Sequence, residues 1–321
     1  MLKINDLNLA FVTWNFNPSV IPGWDIPRWY GIMWALGFYL GFLILDRMYK
    51  SEKVPETWMD KTFMYVLIGA ILGARLGHLF FYEPWFDQVN SLGQIGREGF
   101  LSHPLSILKI WEGGLASHGG VVGIAVSAYL LSRKITKKHI LWVIDRIVIP
   151  TGIAGALIRL GNLFNHEIVG KETTSSIGFK FLRNDISEGS AMKYTGLNEP
   201  QEAFDAIASN PSFTYVLDSV PVRYPAQLIE AICYLVIFAI MFFLYWRSNA
   251  SKLQGFLTGM FFTLVFGARF FIEYLKIPQG GTDLGLGILN TGQKLSIPLV
   301  LFGLFLIFRK IKQLTFSKDT K

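Results

Sequence analysis

ILWVIDRIVIPTGIAGALIRLGNLFNHE, residues 140–167, is the stretch on which the fold turns. Its first 24 positions, 140–163, are apolar apart from Asp145, Arg146, Arg159 and a few small or amide side chains. Roughly 20 helical residues at 1.5 Å each cross the hydrocarbon core of a bilayer, so this run is long enough to span one. It ends on RLGNLFNHE (159–167), and the chain carries a related frame, RLGHLFFYE (75–83), that agrees with it at six of nine positions. Both frames put an arginine where a membrane makes arginine expensive.

Working outward, the whole chain has the same character. Of its 321 residues 51% are hydrophobic, with 27 Phe and 9 Trp, and the mean hydropathy is +0.39. Charged residues make up 17%, against about 25% in an ordinary soluble protein. Seven apolar runs are candidate spans: about 29–46, 62–82, 113–132, 140–163, 224–246, 254–275 and 293–309. The segments that follow the first, third, fifth and seventh runs are short and basic. They hold Arg47, Lys50, Lys53 and Lys61; Arg133, Lys134, Lys137 and Lys138; Arg247 and Lys252; and Arg309, Lys310, Lys312, Lys318 and Lys321. The positive-inside rule makes that side cytoplasmic. The expectation is an all-α polytopic membrane protein of about seven transmembrane helices, N-terminus outside and C-terminus cytoplasmic. Residues 166–222 then form an external head between spans four and five.

The net charge of +7 follows this topology, so it does not point to nucleic acid. Cys233 is the single cysteine and lies in an apolar run, which excludes a disulfide framework or a cysteine zinc site. Residues 1–28 are of mixed polarity and lack the basic start and apolar run of a cleavable signal peptide. The head is rich in Ser, Asn, Asp and Glu and carries no readable motif, so a lid, a docking surface and a folded cap all stay open.

Four arginines remain inside spans. Arg146 follows Asp145 near the cytoplasmic entry of span four, where local pairing and snorkelling would accommodate it. Arg75, Arg159 and Arg269 lie on the three outward-running spans, each past the midpoint. Each is flanked by small residues, in GARLG (73–77), GALIRLG (155–161) and FGAR (266–269), which permit close helix packing. An arginine near the bilayer centre costs about 3 kcal/mol even on the lenient insertion scale. Two accounts compete for them. They pair with Glu83, Glu167, Glu230 and Glu273, the last at i+4 from Arg269; or they face a polar cavity and hold an anion, since guanidinium forks suit phosphate.

Three features favour the anion. Arg159 is followed by Asn162, Asn165, His166 and Glu167, and positions 159, 162 and 166 share a helical face. Amides and a carboxylate suit the hydroxyls of a glycerol head group. WEGGLASHGGVVG (111–123) enters span three with His118 among glycines, a reasonable proton acceptor beside an external cleft. RWYG (28–31) puts Trp29 and Tyr30 at the outer start of span one. An anion or lipid transporter, or a scramblase, is the alternative from another class. It predicts polar positions through the cytoplasmic half, which is mostly apolar here.

These residues resemble the bacterial phosphatidylglycerol–prolipoprotein diacylglyceryl transferases. The likeness is carried by RWYGIMWALGF (28–38), GARLGHLFFYE (73–83), WEGGLASHGGVVG (111–123), RLGNLFNHEIVG (159–170), RYPAQLIEA (223–231), GARFFIEYLK (267–276) and GQKLSIP (292–298). It covers most of the chain outside the head. The resemblance implies a single transferase domain in the inner membrane that works toward the outer leaflet. It would move diacylglyceryl from phosphatidylglycerol to the lipobox cysteine of a prolipoprotein signal peptide, giving a thioether and glycerol 1-phosphate. Membrane lipid would be its surroundings, and no nucleic acid, metal or cofactor is implied. The family's functional positions fall on Tyr30, His118, Arg159, Asn162, Glu167, Gly170, Arg269 and Glu273. Arg159 and Arg269 would clamp the phosphate, with Tyr30, Asn162 and Glu167 orienting the head group. Asn165 joins them from its place in the frame, and Arg75 supports the site. His118 comes first for the thiol proton and Glu273 second. One departure stands out: the family often has tyrosine one helical turn before its last arginine, and this chain has Val265 there.

Overall fold

The computed structural model describes residues 11–319 except 22, 25, 90–94, 98, 109–115 and 278–288. The chain forms two compact units, Met1–Gly41 with Val148–Lys321, and Phe42–Ile147. Eleven α-helices are described: α1 (Trp29–Ser51), α2 (Glu56–Tyr82), α3 (Ser117–Leu130), α4 (Ile140–Phe164), α5 (Leu182–Asp185), α6 (Glu188–Thr195), α7 (Pro200–Ser209), α8 (Thr214–Ser219), α9 (Ala226–Arg247), α10 (Phe256–Ile272) and α11 (Thr291–Asp319). The strands are short: β1 (Val12–Trp14), β2 (Gln88–Val89), β3 (Ile95–Arg97), β4 (Phe179–Phe181) and β5 (Val222–Arg223). The protein is an all-α polytopic membrane protein.

Among the described residues, six helices are long and apolar enough to cross a membrane: α1, α2, α4, α9, α10 and α11. The expected third span divides differently. Its α-helical part is the fourteen residues of α3, which run directly into a six-residue π-helical segment, Leu131–Thr136. The start of that expected span, with the WEGGL part of its motif, falls on 109–115 and lies outside the described residues. Several expected boundaries also move. α1 runs to Ser51 and α2 begins at Glu56, because helical hydrogen bonding continues past the apolar core of each run.

The first unit is built around residues 148–164 of α4, which run antiparallel to α1. Gly161 faces Tyr30, Gly37 faces Ala154 and Gly41 faces Pro150. α9 is also antiparallel to α4, with Gly152 against Phe238 and Gly155 against Tyr234. Glycine at these crossings removes the Cβ that would hold the axes apart. α10 and α11 pack closely through Gly259 and Gly303, where an added Cβ would meet the partner's carbonyl oxygen at 2.8 and 2.7 Å.

Beyond α4 the head forms its own apolar cluster of Leu182, Ile186, Ala191, Ala203, Phe204, Ile207, Val216 and Val220. It is joined to the N-terminal segment by a sheet of order β1-β4-β5, parallel between β1 and β4 and antiparallel between β4 and β5. That segment reaches the end of α4. The Trp14 indole donates to the Leu163 carbonyl at 2.9 Å, satisfying one of the oxygens a helix end leaves unpaired. Trp14, Phe16, Trp29, Phe164 and Phe179 pack as an aromatic cluster around it.

In the second unit α2 lies against α3 along a seam of glycines. An added Cβ on Gly73 would meet Gly123 Cα at 2.9 Å, and one on Gly77 would meet Gly119 Cα at 2.7 Å. The unit's apolar core gathers Leu45, Tyr49, Met59, Ala128, Leu131, Trp142, Val143 and Ile147. Arg146 departs from its expectation only in its burial. It is buried rather than snorkelling, its Nη2 lies 2.8 Å from Glu52 Oε1, and its guanidinium sits 4.0 Å from the centre of the Trp142 ring. Glu52, just past the end of α1, is a carboxylate partner that the sequence around Asp145 did not indicate.

Candidate functional site

Arg159 sits in the last two turns of α4, and its neighbours come from α9 and from α4 itself. Its Nε lies 2.9 Å from Glu230 Oε2 of α9, at an angle poor for a hydrogen bond, so the contact is an ion pair. Its Nη1 donates to Asn162 Oδ1 at 3.2 Å. Tyr234, one helical turn after Glu230 on α9, lies close enough to feel the charge of the same guanidinium. Glu230 is fully buried at 0% exposure and accepts a second contact, 2.7 Å from Lys276 Nζ. One buried carboxylate thus stands between two cations. Glu273 Oε2 lies 3.9 Å from the same lysine, so acidic and basic groups alternate across the cluster.

The chain reaches this geometry through the turn that ends α4. The helix stops at Phe164, and His166 (φ 56°) and Ile168 (φ 61°) take left-handed backbone. A β-branched residue in that region is costly, by about 1–3 kcal/mol, and persists only where its surroundings over-determine it. The turn folds Glu167 back onto α4. Asn162 Nδ2 donates to Glu167 Oε1 at 2.9 Å, Asn165 Nδ2 reaches the same oxygen at 3.4 Å, and Gln227 Nε2 donates to the Glu167 carbonyl at 2.6 Å. Asn162 therefore relays between guanidinium and carboxylate, accepting with its oxygen and donating with its nitrogen. Tyr30 lies against Gly161, where a Cβ would stand 3.2 Å from the tyrosine Cα, and close enough to feel the charges of Arg159 and Glu167.

His166 turns away from this cluster. Because α4 ends before it, the helical face expected for 159, 162 and 166 stops at 162. Its Nε2 lies 2.9 Å from the Phe16 carbonyl oxygen and its ring packs edge-on to Phe181. Burial pulls its pKa down to about 4, offset in part by the Phe16 contact, so the imidazole is neutral and structural.

Gly170 acts through its backbone. It bridges Lys276 in antiparallel fashion and donates to the Tyr224 carbonyl at 3.0 Å. A Cβ there would stand 2.9 Å from the Leu275 oxygen and 2.7 Å from Tyr224 Cβ, so the close approach that delivers Lys276 needs glycine. Glu273 follows α10 in a 3₁₀ turn, 3.9 Å from Lys276 and over Gly292. Among the described residues no ion pair joins it to Arg269, so the expected i, i+4 pairing is not formed; α10 ends at Ile272, between them. Arg269 enters through Tyr234, whose hydroxyl lies in the fields of Arg159, Arg269 and Glu230.

Arg75 and His118 belong to the second unit. Arg75 is buried on α2, and His118 is exposed in the first turn of α3. Glu83, an expected partner for Arg75, is 2.9 Å from His78 Nε2.

Gln227, Tyr234 and Lys276 join the site without having been singled out in the sequence. A signal existed for the first two. Positions 227, 230 and 234 are polar or amphipathic and share one face of a helix that is otherwise apolar. Lys276 gave none, since its contact depends on the close approach at Gly170.

A family model described as prolipoprotein diacylglyceryl transferase matches residues 21–309. A phosphatidylglycerol–prolipoprotein diacylglyceryl transferase of Porphyromonas gingivalis is 40% identical over 311 residues, covering 94% of this chain and 96% of the relative. Proteins of the same name from Tolumonas auensis (39% identical; 94% and 98% covered) and Chloroherpeton thalassium (37%; 97% and 98%) are similar along their length too.

Proposed function

The chain belongs to the prolipoprotein diacylglyceryl transferase family, and from that premise we propose that the Arg159 cluster is where its reaction occurs. The protein is a multi-span membrane enzyme that transfers diacylglyceryl from phosphatidylglycerol to a prolipoprotein. Nothing favours the transporter or scramblase alternative. The observation that carries the site is the arginine held by Glu230 and Asn162 beside a folded-back Glu167.

In this reading the substrate thiol gives its proton to a base, and the sulfur attacks the carbon of the diacylglyceryl group that carries the phosphate ester. The C–S bond forms as the C–O bond breaks, and the oxygen leaves with the phosphate as glycerol 1-phosphate. Arg159 and Arg269 stabilise charge gathering on that phosphate, in a low-dielectric site where preorganised cations act strongly. Tyr30, Asn162, Asn165 and Glu167 orient the departing glycerol, whose hydroxyls pair with amide and carboxylate. Two groups are tested for the thiol proton, His118 and Glu273; Arg75 supports the reaction from the glycine-packed α2. The basic segments after alternate spans set the site toward the outer leaflet of the bacterial inner membrane, with the head 166–222 outside. Purified protein, phosphatidylglycerol and a lipobox peptide should yield thioether-linked peptide and free glycerol phosphate. A folded sample that gives neither defeats the proposal.

A further inference from the structure

Tyr234 lies at the arginine site and belongs to no motif carried by the resemblance. It is 8% exposed, on α9, one helical turn after Glu230, so both side chains face α4. Gly155, one turn before Arg159 on α4, provides a flat seat: a Cβ there would stand 3.2 and 3.7 Å from the Tyr234 ring carbons Cδ2 and Cε2. The ring lies over that glycine, and the Glu230–Arg159 contact of 2.9 Å one turn further along both helices sets its hydroxyl end toward the guanidinium. A buried phenol needs a partner for its hydroxyl. Arginine can only donate, so the tyrosine oxygen is the acceptor and keeps its own O–H to give.

Val265 adds a second, independent observation. It stands four residues before Arg269 on α10 and offers no hydrogen bond. Tyr234 approaches the same two arginines from the neighbouring helix, and α9 and α10 pack together.

We propose that Tyr234 is a positioning residue: seated on Gly155, its hydroxyl holds the Arg159 guanidinium for the leaving phosphate and stands in for the phenol absent at Val265. This rests on the transfer reaction proposed above. A charge-assisted hydrogen bond that matters only as phosphate charge builds should appear in kcat and not in KM.

The test uses the full-length protein, with phosphatidylglycerol varied at saturating lipobox peptide. Tyr234→Phe should lower kcat about ten- to a hundredfold, with KM for phosphatidylglycerol within about twofold and an unchanged melting temperature. Adding Val265→Tyr to that variant should restore most of the lost kcat. Wild-type kcat in Tyr234→Phe, or a loss carried by KM, overturns the positioning role; a kcat loss that Val265→Tyr leaves unrepaired overturns the stand-in for Val265. If Tyr234→Phe melts early, Gly155→Ala decides. Its methyl lifts an intact phenol from its seat, so a kcat loss supports the proposal and wild-type kcat overturns it. Unsubstituted protein that forms no product overturns the functional reading itself, and with it this role.

Discussion

At the scale of single residues, the site's logic is the sharing of one carboxylate. Glu230 faces Arg159 and Lys276 together, so the arginine is anchored without being neutralised outright. Replacing Arg159 by lysine keeps the charge but loses the planar fork that spans Glu230 and Asn162. Transfer should fall by about a hundredfold or more while the protein stays folded, measured as thioether formed per minute; an active, folded lysine variant would remove the proposed clamp. His166 behaves oppositely, as a neutral structural group. Its folded pKa of about 4 lies below the 6.5 of the unfolded chain, so between those values the unfolded state binds the proton that the folded state refuses. The stability it contributes is fully present above pH 6.5 and is lost as pH falls toward 4, by about 3 kcal/mol in all. Melting temperatures from pH 7.5 to 4.5 should therefore drop more steeply for the wild type than for His166→Gln. Parallel curves would refute it.

At the scale of elements, close crossings decide where functional groups go. On α2 and α3 the glycines at 73, 77, 119 and 123 bring backbone against backbone, which puts Arg75 and His118 on a tightly packed pair. Leucine at Gly119 would meet Gly77 Cα at 2.8 Å with its first carbon alone. The expected cost is about 2 kcal/mol or more, read as a lowered melting temperature, whereas Val122→Ala on the exposed side of α3 should change little. Equal behaviour of the two variants would contradict the seam. The turn after α4 is the other decisive element: the strained backbone at 166 and 168 converts a helix end into a fold-back that returns Glu167 to Asn162. Periodicity foresees the helix but not its end, because Asn165, His166 and Glu167 would fit one more turn equally well.

At the scale of the whole molecule, the prediction concerns sidedness. In a Cys233→Ser background, a cysteine at Ser209 in the head should react with a membrane-impermeant maleimide in intact cells. One at Asn249, between α9 and α10, should react only after the membrane is opened. The reverse pattern would invert the proposed orientation and place the arginine cluster in the inner half. The head has the apolar cluster of a folded cap, and its sheet takes in residues 12–14 from the N-terminal segment. The sequence showed only mixed polarity at both places, because strands this short and helices of four to ten residues carry too few periods to read.

What the sequence by itself determined is the membrane class, most of the spans and the presence of arginines within them. Each follows from costs paid locally along one helix: apolar length against bilayer thickness, charge against hydrocarbon. The sequence also carried the motifs that place Arg159, Asn162 and Glu167 in one frame. Only the tertiary structure decided which charge meets which. Trp14 and Leu163 are 149 residues apart, Lys276 and Glu230 are 46 apart, and Glu230 reaches Arg159 from another helix. Helical periodicity says which face a side chain occupies, but the neighbour opposite that face is set by which glycines let two backbones close together, and that is a property of the pair.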